Sequence, residues 1–321
     1  MKAIPYTPDL ANTWNAFVSS SRNGTFLLDR NFMEYHKDRF EDASLLFFKE
    51  DDTLCAVLPA NAKREKREIQ SHGGLTYGGL LLSPSASVQE AREALAAAAD
   101  HYQAAGFQAL RYKPVPHIYH QYPAEEDLYW LFRAQATLAE RTISTTLDLS
   151  SPLSSQLWNR KLKKKACEHL RVEENTERQL PEFWPIVEEV LASRHHTSPV
   201  HSLAEITLLA QRFPKNIRLF TAADSGHVVA GCLAFITPTV FHVQYMEAGE
   251  EGRQRRALDW LIGNLIPFVR KAGIRFFDFG ISTENGGQVL NDGLIYQKEG
   301  FGGRAVCYDT YEVELEKLSA L

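Results

Sequence analysis

Two carboxylates and a scatter of histidines and lysines carry the chemistry this sequence offers. In FHVQYMEAG, period-2 alternation places Val243, Tyr245 and Glu247 on one face of a strand and His242, Gln244 and Met246 on the other. Asp278 stands between phenylalanines in RFFDFGIS, where a buried carboxylate needs a partner, and Gly280 permits close approach before Ser282. His201 and Glu205 are spaced i, i+4, so on a helix they share one face as an acid–base or acceptor-binding pair. HHTSPVH supplies no fourth ligand at helical or hairpin spacing, so no metal is expected. Lys113, His117 and His120 in KPVPHIYH suit an anionic acceptor. Arg160, Lys161, Lys163, Lys164 and Lys165 crowd one short run, and such repulsion suits a phosphate-bearing partner: tRNA, CoA or a nucleotide-sugar. Ser282, Glu284 and Asn291, in a turn-rich stretch, are candidates for the acceptor side. No serine or cysteine sits in a nucleophile motif, which points away from a covalent enzyme intermediate.

Positioning these groups requires two domains. The chain has 321 residues and is 44% hydrophobic, enough for two cores at about 150 residues each. A net charge of −5 argues against a nucleic-acid-coating protein. No apolar run has the length of a membrane span, and MKAIPYTPDL lacks the apolar stretch of an export signal. Four dispersed cysteines fit a reducing compartment, so the expected location is cytoplasmic. The first forty residues read as helical. After them, three β-rich runs precede an alanine-rich helix opened by the capping-box pair Ser87 and Glu90 and closed by Gly106. A strand, an amphipathic helix and the strand TISTTLDL lead to the linker SSPLSS. Beyond it come helices at about 154–169 and 181–197 and the segment PVHSLAEITLLAQRF. Strands NIRLFTAAD, HVVAGCLAFIT and FHVQYMEAG, a helix over 254–272 closed by Gly273, RFFDFGIS, a helix over 288–299 and a final strand repeat the order βββαβαβ. Placing Gly106 on Gly273 aligns the two helix–glycine–strand units. The expectation is an α/β fold with mixed sheets in two tandem domains, 1–150 and 151–321, the second holding the cleft where neighbouring strands diverge.

The segment Tyr296-Gln297-Lys298-Glu299-Gly300-Phe301 resembles the Tyr-x-Lys-x-Gly-Phe ending of the last helix in GNAT acetyltransferases. The runs SHGGLTYGG, PAEEDLYWLFR, FDFGISTENGG and LNDGLIYQKEGFG are similar to those of a bacterial tandem-GNAT group related to Fem-type aminoacyltransferases and to acetyltransferases found with surface-polysaccharide enzymes. That resemblance covers about residues 25–312. It implies Tyr296 as the acid that protonates the leaving group and Glu247 as the base. Asp278 and His201 join them as catalytic candidates, and Glu205, Gln244, Tyr245 and the turn residues as acceptor contacts. GEEGRQRRALDW stands where GNAT domains carry a glycine-rich pyrophosphate loop. Gly252 is present, but Arg256 replaces the loop's middle glycine, which leaves donor phosphates to the side chains of Arg253, Arg255, Arg256, Lys163, Lys164 and Lys298. The expected function is transfer of an acetyl group from acetyl-CoA to an amine of a cell-envelope sugar or peptide precursor. The alternatives are a Fem-like aminoacyltransferase using aminoacyl-tRNA and a non-catalytic precursor-binding module.

Overall fold

The computed structural model describes residues 1–151, 167 and 169–321. These fall into two compact units: unit 1 holds Met1–Thr142, Glu284–Val289 and Cys307–Leu321, and unit 2 holds Ile143–Thr283 and Leu290–Val306. The helix expected at 154–169 lies almost entirely outside the described residues.

In unit 1, Leu45–Phe48 is flanked by antiparallel Lys2–Pro5 and Leu54–Leu58, and Leu81–Leu82 adds an edge. A second group pairs Ala109–Tyr112 with Glu68–Gln70 in parallel and with residues 311–314 antiparallel. The helix Val88–Ala104 carries the capping box of Ser87 and Glu90, and its small buried face of Ala91, Ala94, Ala98 and Ala99 lets it lie close against the core. The N-terminal forty residues are only partly helical. Lys2–Pro5 is a strand because it completes a sheet edge with Leu45–Phe48, a long-range pairing that local pattern does not reveal.

Unit 2 is built on a sheet ordered Arg171–Glu174, Ile217–Asp224, His227–Ile236, Val240–Ala248, Phe276–Ile281 and then residues 144–148. Among the described pairings of this sheet region, Val240–Ala248 and Phe276–Ile281 pair in parallel and the others antiparallel. One face is covered by Ala257–Lys271 through Leu261, Ile262, Leu265, Ile266 and Val269. Thr176–His195 packs against strand residues on the sheet, and a Cβ at Gly231 would fall 2.5 Å from the Phe183 ring, so glycine there allows the helix to sit close. This helix starts earlier than the prolines suggest, because the Asn175 side chain caps it by accepting from Arg178 N–H and leaves Pro181 and Pro185 inside. The expected 254–272 helix is two helices, Glu250–Gln254 and Ala257–Lys271, broken at Arg256. The last one is shorter than expected, Asp292–Glu299, because Asn291 caps it.

Gly106 and Gly273 close their helices at φ +88° and +81°, and open space surrounds the position of a Cβ at each. Conformation alone therefore calls for glycine at both. The same helix–glycine–strand unit thus occurs in both units, and the fold is mixed α/β.

Candidate functional site

The parallel ladder of unit 2 runs from Val240/Phe276 to His242/Asp278 and goes no further. Beyond that rung the two strands part. Asp278 is fully buried, and its carboxylate accepts hydrogen bonds from Ser144 Oγ, from Thr146 Oγ1 at 2.7 Å and from His242 Nδ1 at 2.7 Å. Burial works against its charge, but the His242 hydrogen bond and charge, aided by the two hydroxyls, hold it below the ordinary aspartate range. The partner that a buried aspartate demands is thus a braced set of three donors.

Past the rung, Val243 pairs with Ala234 and Tyr245 with Leu233, so Gln244 is the extra residue of a β-bulge. The bulge reverses the expected alternation. Phe241, Val243 and Ala248 lie in the core, with Met246 packed on it. Tyr245 and Glu247 therefore share the opposite face with His242, not with Val243. There the Tyr245 hydroxyl lies 2.9 Å from Nδ1 of buried His201, and Trp184 packs edge-on at 5.1 Å. Burial pushes the partly buried Glu247 carboxyl up to about 7, against the pull of the Arg194 and Arg253 charges. A carboxyl poised there suits proton transfer near neutrality.

His201 and Glu205 do not form the expected helical pair. The helix Leu203–Arg212 begins after His201, and Ser202 and Glu205 complete a capping box: Glu205 N–H donates to Ser202 Oγ, and Ser202 N–H to Glu205 Oε2. The S-x-x-E spacing carried that signal in the sequence.

Tyr296 and Gln297 line an open pocket of about 330 Å³ with Ala248, Gly252, Arg253, Arg256, Leu258 and Asp259. Several expected donor contacts and the expected acid therefore meet. Gly252 has a packing reason of its own, since a Cβ would fall 2.1 Å from the Val229 carbonyl oxygen. Arg256 caps the long helix at φ +56°, the left-handed conformation that glycine favours. The three arginines are engaged internally: Arg253 with Glu250 and the Ala248 carbonyl, Arg255 with Asp224 and Glu251, and Arg256 with Asp259 at 3.2 Å. Lys298 is buried and turned to the backbone. Its ammonium donates to the carbonyls of Gly280 and Ile281, each at 2.8 Å, and burial lowers its pKa to about 8 while Asp278 opposes the shift.

The remaining candidates are dispersed. Ser282 is buried, and its hydroxyl has no hydrogen-bond partner among the described residues; Asn291 caps the Tyr296 helix. Lys113, His117, His120 and Glu284 belong to unit 1. There Lys113 Nζ donates to Leu75 O and His120 Nε2 meets Val115 O at 2.8 Å, while His117 and Glu284 are exposed. Lys163 and Lys164, with the rest of their basic run, lie outside the described residues. Among the described residues no group of histidine, cysteine and carboxylate side chains could hold a metal ion, and no helix is long and apolar enough to cross a membrane. Ser144, Thr146 and the role of His242 escaped the sequence reading, because what each one meets is decided by pairing and burial.

Residues 158–286 match the family described as acetyltransferase (GNAT) domain. No curated protein matches the chain. Among solved structures, FemX is 12% identical with a TM-score of 0.68, the match covering 100% of this chain and 99% of that one. L-PGS from Bacillus licheniformis is 11% identical with a TM-score of 0.61, covering 96% and 91%. A tandem GNAT protein from the clavulanic acid biosynthesis pathway is 11% identical with a TM-score of 0.55, covering 98% of each chain. At such identity these likenesses establish the fold.

Proposed function

We propose that this chain, a GNAT-type acyltransferase with a Fem-like tandem fold, transfers an acyl group to a primary amine, with the chemistry carried by unit 2. Neutralising a primary amine at pH 7 costs about 4 kcal/mol, so a base that is itself ready near neutrality is valuable. Glu247, with its pKa pushed up to about 7 just past the bulge, is the single observation that carries this reading. The amine nitrogen attacks the acyl carbonyl as its proton passes to Glu247. A C–N bond forms, the bond from the carbonyl to the leaving oxygen or sulfur breaks, and Tyr296 protonates that atom before regaining its proton from solvent. Asp278 and His201 act in this scheme by bracing His242 and Tyr245 on the same face.

For the acceptor we propose an amine of a cell-envelope sugar or peptide precursor, handled in the cytoplasm. Resemblance to the Fem-type group and likeness of fold to FemX support that choice. For the donor, the GNAT description suggests acetyl-CoA. The internal engagement of Arg253, Arg255 and Arg256 favours instead aminoacyl-tRNA, which does not need a diphosphate clamp at this helix. Parallel titrations with acetyl-CoA and bulk aminoacyl-tRNA, followed by transfer assays to amino-sugars and lysyl peptides, test the proposal. Saturable binding of one donor with amide formation supports it, and failure of both donors to bind or react would sink it.

A further inference from the structure

The helix Glu126–Arg133 buries one side in unit 1 and turns the other outward. Trp130 and Leu131 enter the core, whereas Tyr129, Phe132 and Arg133, spaced i, i+3 and i+4, share an exposed face on which Phe132 is 76% exposed. The rings beside it are fixed in place. Trp130 Nε1 donates to the Val88 carbonyl at 2.7 Å, and Tyr129 packs edge-on against Trp130 at 4.9 Å. Cations interleave with them: the Arg92 guanidinium lies 5.7 Å from the centre of the Trp130 ring, and Arg133 Nη1 donates to the Tyr129 hydroxyl at 3.3 Å. Among the described residues neither arginine forms an ion pair.

Arg92, Arg133 and Lys317 line an open pocket of about 330 Å³ beside Trp130, and no aspartate or glutamate lines it. Three cationic side chains there face the carboxylate of Leu321, so the lining is positive, although Glu314 shares Lys317 from outside it at 3.6 Å. Glu125 and Glu126 stand at the start of the helix, Glu126 held by Arg22 at 2.8 Å, and the exposed phenyl ring and Arg133 at its end. Guanidinium groups without internal counter-ions suit phosphate, and an exposed phenyl ring suits an apolar medium. The lipid–water interface offers both within the depth of a side chain, phosphates above acyl chains.

We propose that unit 1 docks on an anionic phospholipid surface through the face of Tyr129, Phe132 and Arg133, with Phe132 entering the interface and Arg92, Arg133 and Lys317 holding headgroup phosphate. The proposal goes beyond the acyl-transfer reading and does not depend on it.

The experiment is co-sedimentation of the full chain with vesicles of phosphatidylcholine alone, and of phosphatidylcholine with about one third phosphatidylglycerol, at low and moderate salt. Binding to the anionic vesicles, weaker as salt rises and absent with the neutral ones, is the expected result. A basic residue near an anionic surface contributes roughly fivefold, so Arg92→Gln with Arg133→Gln should lower the partition coefficient at least about tenfold. Phe132→Ser should lower it at least about threefold at both salt concentrations, because the apolar contribution is not screened. A wild type that ignores anionic vesicles or binds neutral ones equally well, or folded variants that bind as the wild type does, would overturn the docking. So would saturable binding of glycerol 3-phosphate without vesicle binding, which makes the pocket a site for a free anion, or a dimer that Phe132→Ser dissociates, which gives the face to a second copy. Phe132 and Arg133 are exposed, so Phe132→Ser and Arg133→Gln decide the matter should the Arg92 change impair folding.

Discussion

His242 and Asp278 are both the last paired rung of the parallel ladder in unit 2 and a hydrogen-bonded pair, Nδ1 to carboxylate at 2.7 Å. The same two residues therefore end the sheet pairing and fix where it ends. Ser144 and Thr146, from the strand on the other side of Phe276–Ile281, lock the carboxylate in place.

Removing that carboxylate should be costly. Asp278→Ala strands two hydroxyls and an imidazole in the interior, and the expected loss is about 3 kcal/mol in urea unfolding. Because the folded-state pKa is depressed, the charged form contributes stability above the unfolded value of about 3.9, and that contribution is lost as pH falls through the folded value. Asp278→Asn should flatten this acid limb. An unchanged acid-unfolding midpoint in the variant would show that the buried charge adds nothing.

Glu247 should set the lower limb of the pH–rate profile. With its pKa near 7, the base form grows as pH rises, so kcat/KM should climb through about 7 and level off, and Glu247→Gln should lose the limb and about 10²- to 10⁴-fold in rate. Stability runs the other way. The folded state keeps a proton that the unfolded chain has released between about 4.3 and 7, so Glu247 destabilises the fold increasingly as pH rises through that window. Glu247→Gln should therefore exceed the wild type in stability by more at pH 8 than at pH 5. A variant with the wild-type profile would remove Glu247 from the mechanism.

Tyr296 is 73% exposed and lines the pocket. Tyr296→Phe should lower turnover by roughly 10- to 1000-fold while melting temperature and donor affinity stay near wild type. Wild-type turnover from pH 6 to 9 would make Tyr296 a packing residue.

Lys298 offers a test of the splayed strand end. Its buried ammonium is costly below its folded pKa of about 8, and that cost fades as pH rises towards the unfolded value of about 10.4, so the wild type should gain stability across this window. Lys298→Met should abolish that rise and, by freeing the Gly280 and Ile281 carbonyls, lower kcat more than it raises KM. A variant that still gains stability above pH 8 would place the titration elsewhere.

Local pattern is enough to read much of this protein. Ser87 and Glu90 announce a helix, Gly106 and Gly273 end two helices in the same way, and alternating apolar runs mark the strands around Glu247 and Asp278, because capping, left-handed φ and face burial are decided within a few residues. YQKEGF could be recognised as a motif, but the fate of its lysine could not. Lys298 turns inward to two carbonyls, since burial depends on how the Asp292–Glu299 helix lies against a strand that ends 11 residues before it begins. The bulge at Gln244 carries no local signature, and it alone moves Tyr245 and Glu247 together to the face of His242, because register is settled between strands. Likewise, Arg255 of GEEGRQRRALDW reads as a free cation until folding brings Asp224 to it. What a charge can do is decided by the counter-charge it meets, and only the tertiary structure supplies that partner.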